Sequence, residues 1–224
     1  MDALCGAYSC IMEFVFPKVY PILDSSIIPL VGRTPFLHKL GSSLTSAGVK
    51  LLEYRNKGGT EAQILADCKA LREVLPLGKV KLILDDRADL VDQVEFDGVH
   101  IDAGDVAPSD ARWLLGPARI IGTFGGSDTL LPGILEEPVD YLAIGPVFAT
   151  HTKQTETTPI GIEGVRKLRQ QAGSGVILSA AAGITFETAQ AVLDAGASIV
   201  AVAEAIFRAD APAAEFKHWI EELV

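Results

Sequence analysis

Cysteine is scarce in this chain: three among 224 residues, Cys5, Cys10 and Cys68, with no metal-ligand spacing. That excludes a disulfide framework and points to a reducing compartment, the cytoplasm. Positive charge is also short, with 19 Lys and Arg against 29 Asp and Glu and a net charge of −10. A phosphate-backbone surface needs clustered cations, so general nucleic-acid binding is excluded. A small anion is not, because a few local cations or a metal can reverse the field inside one pocket. The apolar N-terminal run through Phe16 lacks a basic flank and carries Asp2, which argues against a secretory leader. It is too short and interrupted to cross a bilayer. Residues 1–17 are read as an extension, helical or disordered, ahead of one domain at 18–224. There is no linker, no low-complexity tract and no Gly-rich dinucleotide fingerprint after the first strand.

What the chain does contain is alternation. Short Val/Ile/Leu/Ala runs suit parallel strands covered on both faces. They fall at Val19–Leu23, Val49–Tyr54, Val80–Leu84, Gly98–Ile101, Arg119–Thr123, Tyr141–Ile144, Gly175–Ser179 and Ser198–Ala203. Amphipathic segments lie between them. In Glu61–Val74 the residues Ile64, Leu65, Cys68 and Leu71 recur at helical spacing. Thr185–Ala195 opens on a capping Thr185 and closes before Gly196. About eight such units match an α/β fold of the (β/α)8 TIM-barrel type, with a doubly wound open sheet as the alternative.

In such a barrel the chemistry sits at the C-terminal strand ends. These carry Glu53-Tyr-Arg55-Asn-Lys57, Asp85-Asp86-Arg87, His100-Ile-Asp102 followed by Asp105, Thr150-His-Thr152-Lys153, Gly183, and Ala203-Glu204. Asp86 and Asp105 are the metal candidates, because Mg2+ takes one or two carboxylates together with water and substrate phosphate. Each has a plainer reading. Asp86 could pair with Arg87 or cap a helix near Ala88, and Asp105 could cap the helix near Pro108. Arg55, Lys57 and Lys153 would surround a metal-bound diphosphate, the arginine as a fork and the lysines as movable charges. Gly183 and the following helix N-terminus form an anion cradle. His151 reads as a surface-loop residue and His100 as strand-end packing.

These residues together resemble the thiamine-phosphate synthase family, which includes the thiazole tautomerases. The resemblance runs from about Val19 to Phe207. It rests on Asp86-Arg-Ala-Asp-Leu90, Asp97-Gly-Val-His100, Gly145-Pro-Val-Phe-Ala-Thr-His-Thr-Lys153 and Gly183-Ile-Thr185. It implies a transferase of thiamine biosynthesis that joins hydroxymethylpyrimidine diphosphate to thiazole phosphate with Mg2+ and releases diphosphate. On that pattern Arg55, Lys57 and Lys153 act on the diphosphate, Asp86 and Asp105 hold the metal, and Thr150, Thr152 and Gly183 hold the thiazole phosphate. Both a monomer and a homodimer are compatible with it.

Several positions depart from that pattern. Glu53 and Ala103 stand for Gln, Asp85 for Asn, Phe124 for a small Ser, and Ala182 for Gly. Gly126 stands where tautomerases place His, which disfavours that branch. Glu204 replaces a Ser beside the thiazole phosphate. A carboxylate about 4 Å from a phosphate charge costs roughly 4 kcal/mol at an effective dielectric near 20, unless it turns away, protonates or pairs with a cation. Two alternatives follow. One is a family barrel that has lost this chemistry and serves as a regulator or binds a less anionic ligand. The other is a phosphate-binding isomerase or lyase using an acid–base pair such as Asp24 and Glu53.

Overall fold

The computed structural model describes residues 14–102, 104–150 and 157–223. Eight parallel strands close on themselves in sequence order, each hydrogen-bonded to the next and the eighth to the first. They are β1 (Val19–Asp24), β2 (Leu51–Arg55), β3 (Lys81–Asp85), β4 (Gly98–Ile101), β5 (Ile120–Gly126), β6 (Tyr141–Ile144), β7 (Leu178–Ala181) and β8 (Ile199–Val202). The helices are α1 (Arg33–Ser46), α2 (Glu61–Val74), α3 (Pro108–Leu115), α4 (Gly161–Ala172), α5 (Phe186–Asp194), α6 (Glu204–Phe207) and α7 (Pro212–Glu222). This is the (β/α)8 barrel expected from the alternation. The connections after β3 and β5 depart from it. Among the described residues they hold only the 3-10 turns Ala88–Leu90 and Ile134–Glu136, so the helix expected near Ala88 is a single turn. No described helix is long and apolar enough to cross a membrane.

Strand alternation sorts the side chains into two apolar bodies. Leu52 and Tyr54 of β2, Leu82 and Leu84 of β3, and Val200 and Val202 of β8 point outward into the layer shared with the helices. Leu51, Ile83, Ile120, Tyr141 and Ile199 point inward and fill the lower barrel with Tyr20. Phe14 and Phe16 continue that plug below Tyr141, with ring centroids of Phe16 and Tyr141 5.7 Å apart. The Tyr141 ring needs Gly122 opposite it, because a Cβ there would lie 1.9 Å from the ring. On β2, β3 and β4 the inward positions above the plug turn polar. They are Glu53, Arg55, Asp85 and His100, and they line the mouth.

Asp97, part of the motif ending at His100, belongs to the scaffold. It sits just before β4, away from the mouth, and accepts from Arg72 Nη2 (2.7 Å), Lys81 Nζ (2.9 Å) and the Leu82 amide (3.0 Å). Burial alone would raise this carboxyl, but those donors outweigh it and hold it below its ordinary value. Asp97→Ala is expected to cost about 3 kcal/mol by stranding buried Arg72, measured by urea denaturation near neutral pH.

Candidate active site

The cavity at the C-terminal ends of the strands has a volume of about 870 Å³ and takes residues from all eight strand ends. Its walls are apolar, formed by Ile22, Phe124, Ala143, Ala181 and Ala201. Among the described residues the charged side chains gather in one sector, from β1 to β4, with Glu204 alone across from them. The opposite sector, from β6 to β8, presents backbone and small side chains.

In the charged sector β2 lifts Glu53 and Arg55 into the cavity by period-2 alternation, and Lys57 follows in the loop. Arg55 forms an ion pair with Asp24 through Nη1 and lies 3.7 Å from Asp85 through Nε. Lys57 Nζ lies 3.1 Å from Asp85 Oδ2 and 3.2 Å from Asp102 Oδ2, and it also binds Asp86. Asp85, Asp86 and Asp102 each offer a carboxylate oxygen within 4.8 Å of the others. Asp105 closes the group, accepting from the Asp102 amide at 3.0 Å. Burial, then the hydrogen bond and charge of Asp86, push Asp105 up to about 6.

These carboxylates fit a hard dication. Asp86 Oδ1 is a buried oxygen with no hydrogen-bond donor, and buried Asp85 Oδ2 has only the Lys57 ammonium at 3.1 Å and the edge of Arg55 at 3.7 Å. An all-oxygen donor set is what Mg2+ selects. The plainer readings of the two metal candidates fail. Arg87 turns to Glu61 and Asp89 rather than to Asp86. Asp86 has φ of 66° and caps no helix, while α3 begins after Ala107 without a side-chain cap. A non-glycine residue in the left-handed region is strained, and such strain collects at functional sites.

In the opposite sector Gly183 has φ of 69°, and a Cβ on it would lie 2.5 Å from the Ala149 carbonyl oxygen. Only glycine fits there. Thr185 caps α5 through a capping box with Thr188, so the start of that helix is held at the cavity edge. Thr150, Ala203 and Glu204 also line this side. Glu204 accepts from Arg208 Nε at 2.9 Å, so its charge has a cationic partner. Thr152, Lys153, His151 and Ala103 lie outside the described residues.

The floor is a polar ladder. Tyr20 and Tyr141 hydroxyls lie 3.2 Å apart, and the Tyr141 hydroxyl is 3.0 Å from His100 Nδ1. His100 stacks on Tyr141 as well as lining the cavity. Glu53, only 2% exposed, stands above this ladder. Burial first, and the neighbouring Asp85 second, push its carboxyl up to about 8. At neutral pH it is protonated and neutral, which removes the excess negative charge a glutamate would bring. Burial also pushes Asp85 up, against the pull of Lys57.

The structure therefore brings Glu53, Arg55, Lys57, Asp85, Asp86 and Asp105 to one side of a single mouth, with Phe124, Thr150, Gly183, Ala203 and Glu204 around the remainder. The sequence reading named Asp102 at a strand end and Asp24 only as an acid–base candidate, and gave neither the place it holds in this site. Asp24 holds Arg55, and Asp102 completes the carboxylate group. Asp24 ends β1 and Asp102 directly follows β4, both in the inward phase, and counting alternate positions from Tyr20 and from His100 would have singled them out.

An acidic, cation-bearing rim facing a backbone cradle across an apolar cavity defines a barrel enzyme that handles phosphorylated ligands. The family model described as thiamine monophosphate synthase matches residues 19–206. The chain is 37% identical over 186 residues to a thiamine-phosphate synthase of Koribacter versatilis, covering 83% of this chain and 87% of that one. It is 35% identical over 201 residues to that of Agrobacterium fabrum, covering 88% and 90%. Its fold superposes on a thiamine phosphate pyrophosphorylase from Pyrococcus furiosus with a TM-score of 0.72 and 26% identity, covering 92% and 96%. The chain belongs to the thiamine-phosphate synthase family.

Two outcomes follow from the geometry. A carboxyl held above its ordinary value keeps in the fold a proton that the unfolded chain releases. Glu53 therefore lowers stability progressively as pH rises from about 4.5 to about 8. Glu53→Gln is expected to stabilise by about 1–2 kcal/mol at the top of that window and little at its foot, read from thermal unfolding at both pH values. Glu204→Ser removes a carboxylate from the cradle side and releases Arg208. Calorimetry is expected to show thiazole phosphate binding roughly fivefold tighter, as suits a partly exposed pair.

Proposed function

We propose that this chain catalyses thiamine phosphate formation from hydroxymethylpyrimidine diphosphate and thiazole phosphate. The observation that carries this reading is the division of one cavity. Arg55, Lys57 and a carboxylate group lie on one side, and Gly183 with the start of α5 lies on the other, with apolar walls between. Two phosphorylated substrates fit such a division, the diphosphate at the cations and the monophosphate at the cradle.

Asp86 and Asp105, with Asp85 and Asp102 beside them, would hold Mg2+. The ion would supply charge neutralisation on the departing diphosphate. Arg55 and Lys57 would bind the same oxygens, Arg55 as a fork oriented by Asp24. The carbon–oxygen bond to the diphosphate breaks, and its electron pair leaves with the phosphate oxygen. The electron-rich pyrimidine ring carries the positive charge that develops on the methylene carbon. The thiazole nitrogen then donates its lone pair to that carbon and closes the new bond. No proton moves, so no general base is needed. Protonated Glu53 can donate a hydrogen bond to a ring nitrogen and accept one from an amino group, a pairing that would position an aminopyrimidine. The apolar walls exclude water, which would otherwise capture the methylene carbon. Soluble cytoplasmic enzymes with these small substrates as partners need no further machinery, and either a monomer or a homodimer would serve.

The charge on Glu204, which counts against a phosphate nearby, is answered by Arg208. That favours the catalytic reading over a barrel that has lost its chemistry. Purified protein, Mg2+ and both substrates are expected to give thiamine phosphate and diphosphate, followed by chromatography. Asp86→Ala and Arg55→Ala are each expected to lower kcat/KM by about 100-fold or more. No product from the unmodified chain, with no calorimetric heat for either substrate, overturns the proposal.

A further inference from the structure

Of the four carboxylates gathered at the proposed metal site, Asp85, Asp86 and Asp102 also hold Lys57. Its ammonium nitrogen lies 3.1 Å from Asp85 Oδ2, 3.2 Å from Asp102 Oδ2 and in contact with Asp86 Oδ2. A dication binding these oxygens would sit about 2.1 Å from each, in the volume the ammonium fills. Two cations cannot share that volume. Arg55 is differently placed, since its guanidinium is tied to Asp24 and touches the group only at its edge. Lys57 has four rotatable carbons, a third of its side chain exposed, and a root in the loop after β2 at the cavity rim. It can leave its position without disturbing a strand.

We infer that Lys57 is the internal counter-ion of this carboxylate group, filling it until a dication arrives and then turning to the diphosphate. This rests on the reading of the mouth as a metal- and diphosphate-binding site. Dication entry and the release of a phosphate-binding cation become one event. The two ligands must then bind with positive coupling, and the coupling is the same in either order. Lys57 acts here as a positioning and gating residue, and the effect is absent from a lysine that serves only as a fixed ion pair.

The test uses Mn2+ and inorganic pyrophosphate as probes, with free Mn2+ followed by electron paramagnetic resonance. Lys57→Met is expected to bind Mn2+ alone at least about tenfold more tightly than the unmodified chain. Its coupling between Mn2+ and pyrophosphate is expected to be about fivefold or more weaker than in the unmodified chain, leaving the part that comes from direct contact between metal and pyrophosphate. Lys57→Arg, which keeps the charge, is expected to bind Mn2+ within about threefold of the unmodified chain. A second readout needs no variant. Mg2+ is expected to raise the rate at which Lys57 is acetylated by an amine reagent, measured by mass spectrometry on the unmodified chain. Equal or weaker Mn2+ binding by Lys57→Met, or Mg2+ that leaves Lys57 equally or better protected, overturns the inference. None of these measurements uses an organic substrate. Absence of thiamine phosphate with the displacement intact would sink the functional reading alone.

Discussion

Arg55 and Lys57 stand two residues apart in the chain, and carboxylates surround them on every side. Asp24, Asp85, Asp86 and Asp102 all come within ion-pair distance of one or the other. Acids and bases packed so closely are tolerated only while each has an opposite neighbour. The rest of the site follows from that constraint. Glu53 lies deeper and has no salt-bridge partner among the described residues, so it keeps its proton. Glu204 lies across the cavity and takes Arg208. At this rim Arg55 and Lys57 are outnumbered by Asp24, Asp85, Asp86, Asp102 and Asp105, so a phosphate arriving there would need a bound dication to reverse the local field.

The scaffold keeps that mouth in register. Side chains that alternate along β2 place Leu51 in the plug, Glu53 above it and Arg55 at the rim, while Leu52 and Tyr54 face the helices. A one-residue slip would exchange these faces. Tyr54 is itself pinned, donating to buried Asp67 at 2.6 Å, and Asp67 also binds Arg33 of α1. Asn56 donates to the Tyr54 hydroxyl at 2.9 Å, so the loop between Arg55 and Lys57 is held by the same buried pair.

Much of this was legible from the residues alone. Strands β4 and β6 and helix α2 fall where hydrophobic periodicity puts them, at Gly98–Ile101, Tyr141–Ile144 and Glu61–Val74. β7 runs later than Gly175–Ser179, because Ala180 and Ala181 carry no β-branched signature yet belong to the strand. β5 extends to Gly126 rather than ending at Thr123, because two glycines that read as a stop continue pairing with β6 through a bulge. The turn at Ala88–Leu90 was read as a helix start, but the chain from β3 to β4 is too short to build one. The strand-end acids were readable as a set. Their pairing was not, because it depends on which neighbour each side chain meets across the barrel. Asp24 and Asp102 look like ordinary turn residues until β1 is seen beside β2 and β3 beside β4.

The aromatic plug carries a last consequence. Phe14, Phe16, Tyr20 and Tyr141 close the barrel from below, and Gly122 lets the Tyr141 ring seat fully. The chamber is a cul-de-sac. Whatever comes in through the mouth must go out through it. A reaction in this chamber has no rear exit, so substrates and products share one doorway.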